Sequence, residues 1–306
     1  MKISCVIVTF NRVQLLKENL TAIMSQTYKP DHIYVINNHS TDNTADYLSQ
    51  FKDLPFFTIC NLEKNIGGSG GFTYGIKRAV EDGCDYVWIM DDDTIPHSDS
   101  LEQLVKATTL SSHIGFLCSK VVWIDGCLHK MNRCAIYRPM RKVTSKENPD
   151  VYGIACNHST FVSTMISAKA VYEIGLPYKE FFIWHDDIEY TERISHNNYD
   201  CFYIETSVVT HKTAKNYAPR ILDAEKKDLW KFYYQARNTT FLARKRKANK
   251  LFFYISILNK YRRYIRKINH IEDKKLRHEL RHEVKKGCLD GLKFRPKIEY
   301  LKIPKK

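Results

Sequence analysis

The sequence has no long apolar run. Its run LFFYISIL, residues 251–258, stops at eight residues, whereas a helix that crosses a membrane needs about 20 apolar residues. The N-terminal stretch MKISCVIVTF alternates like a β-strand and contains no small-residue cleavage site, which argues against a signal peptide. We therefore expect neither a membrane-spanning helix nor an export signal.

Paired cysteine motifs are also missing. The 306 residues include nine cysteines, an odd number, and no two of them are spaced as Cys-x-x-Cys. Without an export signal, this pattern is typical of free thiols in a reducing compartment. We therefore predict a cytoplasmic protein that has no disulfide framework.

Acidic residues are scarce in the last third of the chain. Residues 216–306 carry 27 Lys and Arg against 9 Asp and Glu, a net of +18, whereas residues 1–215 carry 21 against 25, a net of −4. This change in charge, with a linker-like segment at 212–222, predicts two parts. They are a globular domain over residues 1–215 and a basic helical region over residues 216–306.

Strand-like and helix-like patterns alternate in the first part of the chain. The segments typical of buried strands are KISCVIVTF, HIYVINN, FFTICNL and DYVWIM, and helix-like segments separate them. The first helix is predicted to begin after an N-cap at Asn11. The β-α-β-α order predicts an α/β fold with a mostly parallel sheet flanked by helices. In such sheets, ligands bind at the carboxyl ends of the strands.

The segment WIMDDDTIP places three carboxylates directly after a buried strand. Asp91, Asp92 and Asp93 repel one another unless a cation lies among them, so the segment predicts a divalent-metal site. On an extended backbone, Asp91 and Asp93 would point to one side and Asp92 to the other. One alternative is a solvated acidic turn. The aspartyl phosphatase motif DxDxT is excluded, because its Thr would fall on Ile95.

The glycine-rich segment NIGGSGGF, residues 65–72, lacks the features of two common phosphate-binding loops. It has no Gly-Lys-Ser/Thr ending, and it neither follows the first strand nor fits the spacing Gly-x-Gly-x-x-Gly. It is either a flexible turn before a helix or a place where backbone amides approach a ligand closely. The residues leave both interpretations open.

Five segments together resemble the family 2 glycosyltransferases of the GT-A fold. In chain order they are VIVTFNR, INNHSTDNT, NIGGSGGF, MDDDTIP and WHDDIEYTER. The glycine-rich segment, the triple Asp and the later segment YYQARN, residues 233–238, most resemble bacterial galactofuranosyl- and rhamnosyltransferases. The resemblance implies a GT-A (Rossmann-like) catalytic domain that transfers a sugar from a nucleotide donor.

The resemblance also implies which residues bind the donor and the metal. Thr9, Asn11 and Asn38 would contact the base and ribose of the nucleotide. The other residues implied for donor binding are Asn65, Gly67, Gly68, Asp91 and Asp92. The implied ligands of Mn²⁺ or Mg²⁺ are Asp91, Asp93 and His211. The metal would neutralise the charge that develops on the departing nucleoside diphosphate.

A second acidic pair is implied to act on the acceptor. Asp187 would be the general base that deprotonates the acceptor hydroxyl, and Asp186 would orient the acceptor or hold the sugar. The two roles can be exchanged, and a helix-capping role for the pair is the alternative. The residues predicted to bind the acceptor are Trp184, His185, Tyr234 and Arg237.

The basic C-terminal region allows three interpretations: an ordinary solvated helix face, a nucleic-acid surface or a helix that lies on anionic lipid. The aromatic residues among the Lys and Arg favour lipid, with Phe252, Phe253 and Tyr254 among the headgroups. The basic residues of this predicted surface are Lys245, Arg246, Lys247, Arg262, Arg263 and Arg266. We expect no nucleic-acid partner, because the acidic crevice would repel phosphates and no known binding motif is present.

These observations predict an inverting, metal-dependent glycosyltransferase of surface polysaccharide biosynthesis, peripheral on the inner face of the cell membrane. The first choice of donor is UDP-galactofuranose and the second is dTDP-rhamnose. The predicted acceptor is a hydroxyl of a lipid-linked glycan. The alternatives are a nucleotidyltransferase that acts on sugar phosphates and releases pyrophosphate, and a nucleic-acid-binding protein.

Overall fold

The computed structural model describes residues 1–246 and 249–302, so Lys247 of the predicted lipid surface lies outside the described residues. The strands are β1 (Ile3–Thr9), β2 (His32–Asn37), β3 (Phe57–Asn61), β4 (Tyr86–Asp91), β5 (Thr94–Pro96), β6 (Ile114–Val122), β7 (Ala135–Ile136), β8 (Lys142–Thr144), β9 (Tyr152–His158), β10 (Thr164–Ser167) and β11 (Asp200–His211). The α-helices are α1 (Val13–Met24), α2 (Thr44–Ser49), α3 (Gly67–Glu81), α4 (Ser100–Ala107), α5 (Ala168–Ile174), α6 (Asp186–Ser195), α7 (Leu229–Arg246), α8 (Lys250–Asn269) and α9 (Lys274–Lys293).

The strands form a mixed sheet in the order β3-β2-β1-β4-β10-β6-β11-β9-β7, with β5 paired to β11 and β8 paired to β9. The first four strands of this order are parallel, as the alternation of strands and helices predicted. β10 is antiparallel to both its neighbours, and β11 is parallel to β6 but antiparallel to β9 and β5. The predicted α/β fold is confirmed.

Helices cover both faces of the sheet around β1. Val6 and Val8 pack into a core that includes residues of α3, whereas Ile7 on the opposite face packs into a core that includes residues of α1 and α4. All seven residues of β1 are buried. Because a strand covered on both faces has little room for charge along its length, polar groups collect at its ends.

The first helix begins later than the sequence predicted. α1 starts at Val13, and Asn11 lies before it with a left-handed φ of 55°. The backbone N–H of Val13 donates to Asp42 Oδ2 at 3.2 Å. Asn11 Oδ1 instead accepts a hydrogen bond from the backbone of Thr41 at 2.7 Å. The N-cap prediction for Asn11 is therefore wrong, because the loop after β2 supplies the partner at the start of α1.

Packing divides the chain into two units. The first comprises Met1–Lys179, Asp187–Tyr217 and the segment that starts at Ile298, and the second comprises Glu180–Asp186 and Ala218–Lys297. The boundary at Tyr217 lies close to the one expected from charge. The structure differs from that expectation in two segments, because the loop Glu180–Asp186 packs with the second unit and the segment from Ile298 packs with the first.

The segment from Ile298 is tied to the sheet unit through Glu299. Its carboxylate accepts hydrogen bonds from Lys77 Nζ at 2.7 Å and Lys179 Nζ at 3.1 Å. Its backbone carbonyl accepts a further bond from the N–H of Leu176 at 2.8 Å. One acidic residue thus anchors the segment from Ile298 within the first unit, which a count of net charge does not reveal.

The second unit contains α7, α8 and α9, which agrees with the predicted helical region. Its core includes Phe232, Ile268, Leu280 and Val284. α7 and α9 approach closely at Gly287, where an added Cβ would lie 2.4 Å from the carbonyl oxygen of Tyr233. Within residues 1–246 and 249–302, no helix has both the length and the apolar character that crossing a membrane requires.

Candidate active site

Polar residues from neighbouring parallel strands lie side by side at one edge of the sheet. Thr9 at the end of β1 pairs with Asn37 of β2, and Asn37 pairs in turn with Asn61 of β3. On the other side of β1, Val8 pairs with Asp91, the last residue of β4. The polar ends of these parallel strands therefore lie together at the edge where such sheets bind ligands.

Arg12 provides positive charge at the Asp triplet. Its Nη1 lies 3.2 Å from Asp92 Oδ1 and also contacts Asp93 Oδ2. Thr9 Oγ1 donates a hydrogen bond to Asp92 Oδ2 at 2.7 Å. Arg12 was not predicted as a site residue, although it follows the polar end of the first strand in VTFNR, where a cation can reach neighbouring strand ends.

The expected alternation of the three carboxylates is wrong. β4 ends at Asp91, and Asp92 and Asp93 lie in the turn that follows. Because the backbone is no longer extended there, Asp92 and Asp93 both reach Arg12 instead of pointing to opposite sides.

The two buried carboxylates differ in acidity. Burial raises the pKa of Asp92 to about 6, and the charge of Asp93 adds to this effect, while Arg12 opposes it. Asp93 is also buried, but the hydrogen bond and charge of His211 and the charge of Arg12 outweigh desolvation and lower its pKa to about 2. Asp93 is therefore the more firmly ionised of the two.

β11 brings His211 to the Asp triplet. β11 pairs antiparallel with β5, and His211 lies opposite Thr94, the residue after the triplet. The ring Nε2 lies 3.0 Å from Asp93 Oδ1, and Nδ1 lies 2.7 Å from Asn132 Oδ1. Asn132 is oriented in turn by its Nδ2, which donates to Thr160 Oγ1 at 3.1 Å. The predicted proximity of His211 to the triplet is thus observed.

This set of donor atoms fits a divalent cation. A carboxylate oxygen and an imidazole nitrogen are ligands that Mn²⁺ accepts. Asn132 engages Nδ1, as outer hydrogen-bond partners of metal-bound histidines do, and this leaves Nε2 directed at Asp93. A cation between Nε2 and Asp93 Oδ1 would satisfy both atoms. The half-buried Asp91, two residues before Asp93, remains a predicted third ligand.

Asn38 shapes the start of the glycine-rich segment. Its Nδ2 donates to Asn65 Oδ1 and to the carbonyl of Gly67, both at 3.1 Å, and its Oδ1 accepts from the N–H of Ile66 at 2.9 Å. Asn65 Oδ1 also accepts from the N–H of Gly67 at 2.8 Å. Three residues predicted for donor binding are therefore joined in one turn, and their contact with a nucleotide remains a prediction.

The glycines of this segment serve different purposes. An added Cβ at Gly71 would lie 2.7 Å from Val8 Cγ1, so this glycine lets α3 pack closely on β1. Gly67 has a φ of 76°, which favours glycine. At Gly68 an added Cβ would meet nothing within 4 Å. Packing therefore does not explain Gly68, and close approach of a ligand there remains a prediction.

The second acidic pair lies at the start of α6, as predicted. Asp186 is buried, and Asp187 Oδ1 accepts a hydrogen bond from the N–H of Ile188 at 2.7 Å. Farther along the helix, the buried Arg193 donates to the carbonyls of Ile174 at 2.7 Å and Leu176 at 3.0 Å. These bonds anchor α6 beyond Asp187. The roles of Asp186 and Asp187 as base and orienting group remain predictions.

The residues predicted for acceptor binding all lie in the second unit. The ring of Tyr234 stacks on Phe182 with 4.8 Å between the ring centroids. Trp184 packs edge-on against Phe232 at 5.6 Å. Desolvation and the charges of nearby Lys and Arg side chains lower the pKa of His185 to about 4, so it is neutral near pH 7. Arg237 donates hydrogen bonds to the backbone carbonyls of Glu180 and Phe181.

A mixed, mostly parallel sheet with polar strand ends is typical of the GT-A fold. The profile of "Glycosyl transferase family 2" matches residues 4–175, more than half of the chain. The protein therefore belongs to glycosyltransferase family 2, and the resemblance drawn from the five sequence segments is confirmed.

Individual relatives agree with this assignment. The galactofuranosyltransferase GlfT1 of Mycolicibacterium smegmatis is 26% identical over 200 residues, which cover 63% of this chain and 65% of that protein. Among solved structures, S. aureus TarS has a TM-score of 0.55 at 17% identity, covering 95% of this chain and 54% of that chain. The mannosyltransferase PcManGT from Pyrobaculum calidifontis, in complex with GDP-Man and Mn²⁺, has a TM-score of 0.54 at 14% identity, covering 92% and 73%. These structures confirm the fold.

Two glycine variants test how the glycine-rich segment is used. Gly68→Ala places a methyl group in open space on a helix, so we expect unchanged or slightly higher stability and a markedly weaker affinity for a nucleoside diphosphate. Gly71→Ala should instead lower stability by roughly 1–3 kcal/mol, because its methyl group overlaps Val8. Thermal unfolding and calorimetric titration separate the two effects. Wild-type affinity in Gly68→Ala would contradict ligand approach at this position.

Two aspartate variants test the cation site. Asp91→Asn and Asp93→Asn should both abolish the dependence of nucleoside diphosphate binding on Mn²⁺, as measured by calorimetry with and without EDTA. Only Asp93→Asn should also lower the unfolding free energy, by about 1–3 kcal/mol, because it removes the carboxylate that His211 contacts and one of the two that Arg12 contacts. The exposed Asp53→Asn is the control. Metal-dependent binding that survives in both variants would remove this site from consideration.

Proposed function

We propose that the protein is an inverting, metal-dependent glycosyltransferase that moves a sugar from a nucleotide donor to a hydroxyl group. The observation that carries this proposal is the pairing of Asp93 with His211, 3.0 Å apart at the strand ends of a family 2 chain. The match to GlfT1 covers 65% of the length of that protein. The donor and acceptor given below are therefore part of this proposal. The strand-end chemistry supports the proposal independently.

The donor is held by residues of the sheet unit. Thr9 and Asn11 lie at the end of β1 and take the base and ribose, and the turn formed by Asn38, Asn65 and Gly67 takes the diphosphate near Gly68. Asp91, Asp93 and His211 would hold a Mn²⁺ or Mg²⁺ ion, which would supply positive charge to the departing diphosphate. Asn132 keeps His211 in the ligating orientation.

Transfer proceeds by direct displacement at the anomeric carbon. The acceptor oxygen forms the new bond to that carbon while the bond to the diphosphate oxygen breaks, and the hydroxyl proton passes to the carboxylate of Asp187. Asp186 orients the acceptor. A single displacement inverts the anomeric configuration and needs no covalent sugar–enzyme intermediate.

UDP-galactofuranose is the first candidate donor. It is favoured by the relation to GlfT1, whose name states that it is a galactofuranosyltransferase. dTDP-rhamnose is the second candidate. The acceptor we propose is a hydroxyl of a lipid-linked glycan in surface polysaccharide biosynthesis.

An exposed apolar face of α8 supports peripheral attachment to the inner face of the membrane. The exposed fractions along this face are 66% for Leu251, 62% for Phe252, 59% for Tyr254, 45% for Ile255 and 48% for Leu258. Farther along the helix, Arg262 and Arg266 are exposed at positions that continue the stripe of Leu251, Ile255 and Leu258. Apolar residues followed by cations suit the headgroup region of anionic lipid, where each cation contributes about 1 kcal/mol.

One residue of the predicted lipid contact is corrected. Phe253 is only 5% exposed and packs inward, because it lies on the opposite face of α8 from Leu251 and Leu258. Phe252 and Tyr254 remain exposed and take part in the proposed contact.

A donor panel with product analysis tests the function. With Mn²⁺ present, we expect hydrolysis or transfer of one nucleotide sugar, with release of a nucleoside diphosphate. Asp187→Asn keeps the shape of the side chain but removes its basicity, so turnover should fall by roughly 10²–10⁴-fold while the donor still binds. A larger loss in Asp186→Asn would exchange the two roles. Release of pyrophosphate from a nucleoside triphosphate, or retention at the anomeric carbon, would contradict the proposal.

Vesicle binding tests the attachment. We expect the protein to bind vesicles that contain anionic lipid and to dissociate as salt screens its charges. Phe252→Ser with Leu251→Ser should weaken binding, because it removes exposed apolar area. Leu289→Ser is the matched control, since Leu289 is 53% exposed on α9 rather than α8. Equal binding to neutral vesicles would contradict the electrostatic part of this attachment.

A further inference from the structure

The loop Glu180–Asp186, which runs directly into Asp187, has an unusual backbone. Phe182, Trp184 and His185 have φ values of 66°, 64° and 70°, in the left-handed region. Residues other than glycine avoid this region because their Cβ crowds the backbone, and they persist in it only where surrounding contacts impose it. The loop therefore needs external support immediately before the acidic pair.

Asn238 of α7 supplies much of this support. It is fully buried, and its Nδ2 lies 3.0 Å from the carbonyl oxygen of Phe181, 3.1 Å from that of Ile183 and 3.0 Å from that of Trp184. One side-chain amide thus engages three carbonyls of the strained loop. In a buried setting, these carbonyls would otherwise lose hydrogen bonds at a substantial cost.

Arg237 fixes the amide of Asn238 and holds the beginning of the loop. Its Nε and Nη2 donate to Asn238 Oδ1 at 3.1 and 3.0 Å, so the donor side of the amide faces the loop. Nη2 also donates to the carbonyls of Glu180 at 2.5 Å and Phe181 at 3.1 Å. The guanidinium lies 4.1 Å from the ring centroid of Phe294, so its plane is held by packing as well.

Aromatic contacts with α7 hold two of the strained residues by their side chains. Phe182 stacks on Tyr234 at an interplanar angle of 14°, and Trp184 packs edge-on against Phe232. Side chains of α7, several of them in the segment YYQARN, therefore contact both the backbone and the side chains of the loop. These contacts explain the positions of Tyr234 and Arg237 without a bound acceptor.

We propose that Asn238, with Arg237, is a positioning residue that holds the loop Glu180–Asp186 in its strained conformation and thereby sets the direction of the Asp186 and Asp187 carboxylates. This inference rests on the proposed function of that pair in accepting the hydroxyl proton. If the amide is lost, Trp184 and His185 can relax out of the left-handed region. That change rotates the chain directly before the two carboxylates. The donor-binding residues lie elsewhere in the chain, so the effect falls on turnover.

The test compares Asn238→Ala and Asn238→Asp with wild type in the full-length chain. Asn238→Asp has nearly the same shape, but it removes both N–H donors and places a carboxylate against three carbonyls. We expect kcat for transfer to fall about 10²-fold, the loss that small misplacements of catalytic groups produce. The donor KM and the affinity for nucleoside diphosphate with Mn²⁺ should stay within twofold. Amide hydrogen exchange in residues 182–188 should become faster.

Thr240→Val is the matched control. Thr240 is buried on the same helix, but it packs against α9 at Gly291, where an added glycine Cβ would lie 2.6 Å from the Cβ of Thr240. This variant should leave both kcat and loop exchange unchanged. Arg237→Lys keeps the charge and loses the forked donors, so it should give a smaller version of the Asn238 effect. It also serves as the test variant if neither Asn238 variant folds.

The outcomes separate this inference from the proposed function. Wild-type kcat and wild-type loop exchange in the Asn238 variants, or in Arg237→Lys as their substitute, would overturn the positioning role. So would a loss of donor affinity equal to the loss of kcat, because that pattern indicates general damage. If wild-type protein transfers no sugar from any donor, the proposed function fails. The role of Asn238 in holding the loop is then judged by amide exchange alone, and unchanged exchange in the variants would overturn it.

Discussion

The contact of Arg12 and His211 with the buried Asp pair is the interaction on which the arrangement of the strand ends depends. Removing two carboxylates from water costs several kcal/mol for each ion unless nearby charge compensates. Here the compensation comes from Arg12, which follows β1, and from His211 at the end of β11. The charge cluster therefore connects the ends of three strands, and the position of each side chain is fixed by the others.

This arrangement has a consequence for cation binding. Arg12 already neutralises part of the triplet, so a divalent ion at the predicted site of Asp93 and His211 would enter beside a positive charge that repels it. A nucleoside diphosphate would bring negative charge that offsets this repulsion. Metal and nucleotide binding would then be coupled, each favouring the other. The side chain of Arg12 is about half exposed, so a phosphate could approach it from solvent.

Local patterns in the sequence predicted the parts of the fold and site that depend on neighbouring residues. The buried strands, the polar strand ends and the start of α6 follow from the spacing of apolar and acidic residues. Asn132 and Asn238 were not predicted, because each acts on a segment distant in sequence. Asn238 lies within the segment YYQARN, but that pattern does not reveal which loop the side chain contacts. The alternation of the Asp triplet failed for a related reason, since it assumed that β4 continued past Asp91. Only the tertiary structure shows where the strand stops.

Charge and packing divide the chain at different places, and the difference is informative. Net charge follows composition, so it places the loop Glu180–Asp186 with the acidic first part. Packing places the loop with α7, because its carbonyls and aromatic side chains find their partners there. The groups predicted to hold the donor thus take their geometry from strand ends, whereas the backbone before the predicted base takes its geometry from a C-terminal helix. A family 2 catalytic domain that ended at residue 215 would keep the first set of constraints and lose the second.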